Sequence, residues 1–141
     1  MPEKCLFDYA VVRLVPRVER EEFINVGVIV SCTARQFLKA RLTVDQKRLT
    51  AFAPDVEIVQ VYEHLKAIEK ICEGGKQSGA IGELPARARF YWLTAPRSTI
   101  IQTSPVHSGL CDEPETALEK LFKTMIQPIE IESKCGSETK L

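Results

Sequence analysis

The chain has 141 residues, 19 basic and 19 acidic side chains, no formal net charge and 45% hydrophobic residues. That length suits a single domain with a core of its own, and the charge balance argues against the whole-molecule field of a nucleic-acid or anionic-membrane binder. No apolar run approaches the roughly 18–20 residues of a membrane span, and Met1-Pro2-Glu3-Lys4-Cys5 leads into strand-like sequence without a signal-peptide pattern, so a cytoplasmic location is expected.

Residues 6–15 are rich in β-branched and aromatic side chains. Phe7, Tyr9, Val11 and Val15 fall on one face and Leu6, Ala10, Val12 and Leu14 on the other, which predicts an interior strand. Arg13 interrupts the first face near its end, where its stem can reach water, and Pro16 stops the run. A charged connection, 17–22, leads to a second strand over Phe23–Val30, in which Gly27 signals a bulge or a close backbone approach. After a turn at Thr33–Gln36, Phe37–Leu42 alternates with Lys39 and Arg41 on one side and reads as a third strand. Short connections make these three an antiparallel meander.

Asp45 is placed to cap a short helix carrying Leu49 and Phe52, ended by Pro54. Asp55 is expected to cap the next helix, whose stripe is Ile58, Val61, Tyr62, Leu65, Ile68 and Cys72 and whose stop is Gly74-Gly75. His64 borders the stripe as a packing residue. Residues 74–84 read as loop, 86–94 lean to a short helix, and Ser98–Thr103 to a fourth strand. Asp112 with Glu115 resembles a capping box before a final helix buried through Leu118, Leu121, Phe122 and Met125. The expected class is α+β: a mainly antiparallel sheet of about four strands with three or four helices packed on one face. Residues 1–128 form the expected domain and 129–141 a polar, disordered tail.

Candidate chemistry concentrates in the stretch from Trp92 to Asp112. Arg97, Ser98 and Thr99 offer a guanidinium and two hydroxyls suited to phosphate or carboxylate, with Arg17 as a second charge and His107 as a rim donor. Arg13, Asn25 and Gln102 form a second tier, polar groups inside apolar strands that must find partners if buried. The competing structural reading pairs Arg97 with Glu19, Glu21 or Glu22 and makes Trp92 a core anchor. His107 and Cys111 are weak catalytic candidates, because a thiolate needs an adjacent base. Arg35, Lys39 and Arg41, or Arg87 and Arg89 beside Phe90, Tyr91 and Trp92, would suit nucleic acid only if they form a free basic face. The five cysteines, Cys5, Cys32, Cys72, Cys111 and Cys135, are never spaced as CxxC. They predict reduced thiols rather than a disulfide framework or zinc. No motif calls for a metal or a cofactor.

The strings Phe7-Asp8-Tyr9-Ala10-Val11-Val12-Arg13, Pro16–Ile29 and Phe90–Gln102, followed by Ser104-Pro105-Val106-His107-Ser108-Gly109-Leu110-Cys111-Asp112, resemble the bacterial domain-of-unknown-function family numbered 3037. The resemblance runs over about residues 6–126. It implies no established activity. It implies a partner or accessory role beside a HipA-like kinase-fold protein, although this chain has none of a kinase's phosphate- or metal-binding motifs. The expectation is therefore a non-catalytic binding or accessory domain for an anionic ligand or a partner protein. The alternative is an enzyme acting on a phosphorylated or nucleotide substrate through His107 and Arg97. A homodimer through an exposed strand edge is a third expectation.

Overall fold

With apolar side chains on both faces, Cys5–Leu14 becomes the central strand, β1, in the computed structural model of the chain, which describes residues 3–128. β2 (Ile24–Cys32) and β3 (Phe37–Leu42) follow as the predicted meander, each antiparallel to its predecessor. Both tight connections are 3-10 turns, Val18–Arg20 and Thr33–Arg35. The β1–β2 register shifts between Val12, opposite Gly27, and Arg13, opposite Asn25. Gly27 also meets the second expectation, because a Cβ there would lie 2.3 Å from Leu42 Cδ2 and 2.6 Å from Arg41 O.

The other edge of β1 is covered in two pieces. β4 (Ile101–Thr103) pairs with Val12–Leu14, and β5 (His107–Cys111) pairs with Cys5–Tyr9, both antiparallel. The predicted fourth strand is thus shorter at its start, and a fifth strand, which was not predicted, follows it. Between the two pieces, Ser104, Pro105 and Val106 stand against only Ala10 and Val11, an interruption of the bulge type that tolerates proline. Ser104 repairs the ladder there: its N–H donates to Val11 O, and its Oγ accepts from Val11 N, both at 2.8 Å. A buried amide that a regular strand would have satisfied is satisfied by a side chain instead.

Helices lie on both faces of the sheet, not on one. The first face carries α1 (Gln46–Phe52), α2 (Ile58–Glu73), a single-turn α3 (Gly79–Gly82) and α4 (Ala86–Thr94). Its core gathers Val12, Leu14, Ile29, Leu49, Val61, Leu65, Phe90, Leu93 and Ile101. The second face carries α5 (Pro114–Met125), whose Leu118 and Phe122 pack on Phe7, Val11, Val28 and Val30. One helical stripe sufficed to predict a helix, but a stripe does not say which face of a sheet it meets. Residues 74–84, expected as loop, contain a 3-10 turn at Lys76–Ser78 as well as α3.

Helix starts were predicted unevenly. Asp45 does cap α1, accepting from Lys47 N and Arg48 N. Asp55 does not cap α2, whose N-cap is Glu57 without a side-chain bond; Asp55 accepts from Arg17 at 2.8 Å instead. Asp112 does not cap α5 either. The N-cap is Glu113, with Pro114 opening the helix, and Asp112 contributes its carbonyl to Arg35. Proline at the first helical position needs no donor partner, which lessens the need for a capping side chain.

The basic residues of β3, and Arg35 in the turn before it, face α5 and its N-cap. Arg35 pairs with Glu113, Lys39 with Glu115 and Arg41 with Glu119, and Arg41 also stacks on Phe122, 4.6 Å from the ring centroid. The alternation of Lys39 and Arg41 therefore serves a helix seam. The tail expected over 129–141 lies outside the described residues.

Candidate functional site

α2, α4, the segment after α4 and β4 all contribute side chains to one concavity. The result is a groove of about 270 Å³. Its walls are Ala67, Ile68, Ile71, Leu93 and Ile101, and its rim is His64, Trp92, Arg97, Thr99, Gln102 and Thr103. No acidic side chain is among these lining residues. A mostly apolar concavity with a few convergent polar groups is the usual form of a small-ligand site, and this one is at the small end of the range.

Arg97 is fixed at the mouth by the helix that precedes it. Its two terminal nitrogens donate to Leu93 O at 3.0 Å and Trp92 O at 2.5 Å, and the guanidinium lies 4.4 Å from the Trp92 ring centroid. The last carbonyls of a helix lack intrahelical donors and carry partial negative charge, so a guanidinium there is doubly favoured. Arg97 therefore does not pair with Glu19, Glu21 or Glu22. Two of its five N–H groups are used in this way, and the others remain for a ligand. Trp92, expected in the core, is 41% exposed, while Phe90 of the same helix is fully buried. Thr99 Oγ1 donates to Ile101 O, and Gln102 Nε2 donates to Thr99 O, so the rim segment is held by its own backbone. Ser98 is exposed and is not a lining residue.

Arg89 makes a parallel contact that the sequence did not disclose. Its NH1 donates to Ile71 O and Cys72 O, at 2.6 and 2.7 Å, and its Nε donates to Leu84 O. Gly74, at φ +79°, leaves the space: a Cβ there would lie 2.9 Å from the Arg89 guanidinium carbon. Arg87 pairs with Asp8 at 2.6 Å and stacks on Tyr91, while Ser108 Oγ donates to Asp8 at 2.5 Å. Burial would raise the Asp8 pKa, but the Ser108 and Arg87 hydrogen bonds and the Arg87 charge outweigh it and hold the carboxyl below its usual value. Neither arginine is left as a free basic face.

The remaining candidates do not join the groove. Arg17 is taken by Asp55. His107 is exposed and lies opposite Tyr9, with ring centroids 5.4 Å apart. Tyr9 packs with the α5 core, whereas Arg97 lines a groove walled by the α2 core. His107 and Arg97 therefore sit on opposite faces and cannot serve one reacting group. His107 and Cys111 are the two ends of β5, about 13 Å apart at strand rise, and Cys111 is buried against Cys5. Burial pushes the Cys111 thiol up to about 11.

Arg13, Asn25 and Gln102 do come together. Arg13 lies between them in register, on the central strand. Arg13 is half-buried and stacks on the exposed Phe23 ring at 4.2 Å, while its Nε is buried without a partner among the described residues. Asn25 Nδ2 donates to Met125 O, which turns its Oδ1 inward, likewise buried and unpartnered. Nε is a donor and Oδ1 an acceptor, so each supplies what its cross-strand neighbour lacks.

What reasoning from sequence missed was the groove as a unit. His64 and Ile68 are one helical turn apart on α2, and this spacing was available, but the approach of α4 and β4 was not. No curated protein and no solved structure matches the chain. The match is to a family: the protein-of-unknown-function family DUF3037, over residues 9–126, so the chain belongs to DUF3037.

Proposed function

We propose that the chain is a non-catalytic binding domain whose groove between α2, α4 and β4 receives an anionic group carried on an apolar body, presented by a small ligand or by a partner protein. The observation that carries this reading is the pairing of an apolar, acid-free concavity with an arginine held rigidly at its mouth. A preorganised guanidinium loses little freedom when it engages a carboxylate or phosphate, which is where much of the cost of binding otherwise lies. His64 and Thr103 would orient the bound group. A HipA-like kinase-fold protein is the partner that the resemblance suggests, and an acidic or aromatic side chain from it would fit the same chemistry.

Trp92 is the only tryptophan, so its emission reports on the groove directly. Medium-chain and aromatic carboxylates, nucleotides, sugar phosphates and a purified HipA-like protein would be titrated against wild type and Arg97→Gln. A saturable change in Trp92 emission, weakened about tenfold or more in the variant, is expected from loss of one charge-assisted hydrogen bond. If no titrant changes the emission, or if both proteins respond alike, the reading is wrong.

A further inference from the structure

Three of the five cysteines, distant in sequence, meet at one end of the second face. Cys5 opens β1, Cys111 closes β5, and the two stand directly opposite each other in the antiparallel register. Their sulfurs are 3.5 Å apart, and the Cys5 thiol also points at Cys111 O, 3.4 Å away. Cys32, at the end of β2, belongs to the same cluster.

We infer that Cys5 and Cys111 form a reversible disulfide that staples β5 to β1 when the protein meets a low-molecular-weight disulfide. Directly opposed residues of an antiparallel pair have Cα atoms about 4.5–5.5 Å apart, within the range of about 4.4–6.8 Å that a disulfide spans. Closing the bond therefore needs side-chain rotation and no movement of the sheet. The site is at the ends of both strands, next to exposed Lys4, Leu110 and Asp112, where strand fraying gives access. This inference is independent of the groove.

The exchange balances in two steps. Cys5, as thiolate, attacks one sulfur of the reagent RSSR, giving a mixed disulfide and releasing RS⁻. Cys111 then yields its proton to a released thiolate and attacks the Cys5 sulfur, expelling the second RS⁻. Two protein thiols lose two electrons and two protons, and RSSR gains them as two RSH. Cys5 and Cys111 are buried to the same degree, and an exchange that begins at Cys111 gives the same product. The closed form ties together residues 106 positions apart in a loop that the unfolded chain would otherwise leave open, the condition under which a cross-link stabilises most.

The test uses the full chain, incubated folded with oxidised glutathione, then alkylated, digested and mapped by mass spectrometry. A Cys5–Cys111 peptide that dithiothreitol removes is expected, with a melting temperature raised by about 5–10 °C. Cys111→Ala should lose both, its fold being checked by circular dichroism; mapping of the wild type decides the matter even if that variant does not fold. A Cys5–Cys32 linkage, a linkage formed only in denaturant, or thiols that stay reduced in the folded protein would each overturn the inference.

Discussion

The two faces of the sheet are closed by different means. The first is closed by shape: Phe90, Leu93, Val61 and Leu65 interlock over β1 and β2, and Arg89 and Arg97 seal the ends of α2 and α4 by donating to their last carbonyls. The second is closed by one helix, α5, whose apolar stripe is framed by glutamates reaching Arg35, Lys39 and Arg41. Four helices cover the first face, and the groove lies where α2, α4 and β4 meet. A single helix lies along β2 and β3; its seam is charged, and a hollow of about 400 Å³ lies at its C-terminal end beside Phe23, Ile24 and Ile126. Packing thus closes the first face, while charge helps to fasten the second.

This contrast can be broken most sharply at Phe90. Phe90→Ala removes a fully buried ring from the first face and should cost about 3–5 kcal/mol in urea-denaturation experiments. A loss under 1 kcal/mol would mean that shape does not hold that face. Next in size is Arg89→Ala, which strips donors from the α2 carbonyls and should cost about 1–3 kcal/mol. Because the Gly74 site exists to seat the Arg89 side chain, Gly74→Ala and Arg89→Ala should be non-additive in a double-mutant cycle. Simple additivity would refute the link.

A smaller effect belongs to Asp8, the carboxylate that latches α4 to β1 and β5 through Arg87 and Ser108. Its folded pKa lies below the ordinary value. Its contribution is therefore complete above the unfolded pKa and is lost as pH falls through the folded one. The stability difference between wild type and Asp8→Asn should be constant above about pH 5 and shrink steadily at lower pH. A difference independent of pH would dismiss the latch. The smallest effect is expected on the charged seam. The two pairs between β3 and α5, and the Arg35–Glu113 pair beside them, are substantially exposed, and such pairs contribute only about 0–1 kcal/mol each. Raising the salt should lower stability slightly in wild type and not in a Lys39→Gln, Arg41→Gln variant.

Legibility in the sequence followed the range of the interactions. β1, β2 and β3 were readable because alternation and hairpin connections are local, and α2 because its periodicity is local too; α4 was not, because Arg87 and Arg89 alternate with Ala88, Phe90 and Trp92 as a strand would. β5 was not, since Pro105 and Gly109 look like loop until Val11 and Ser104 are seen to bridge the interruption. Asp55 was read as a cap because nothing in the sequence said that Arg17, 38 residues away, would claim it. Arg97 shows the opposite error. Its partners are the carbonyls four and five residues back, a local arrangement that the rule for cations at helix ends would have found. The thiol cluster had no sequence signal, because strand register alone brings Cys5 to Cys111.

The interrupted strand opposite β1 also bears on how the chain comes together in time. β1 precedes β4 and β5 by some ninety residues in the chain, yet one of its two hydrogen-bonded edges is completed only by residues 101–111. Until those arrive, β1, β2 and β3 form a meander with an open edge at its most apolar strand, and closing it requires contacts some ninety to one hundred residues apart. Such late, long-range closure slows folding and leaves a template for wrong pairings. Ser104, by holding Val11 at the junction of the two pieces, is placed to align β4 and β5 in one docking event, so Ser104→Ala should retard refolding as well as weaken the native state.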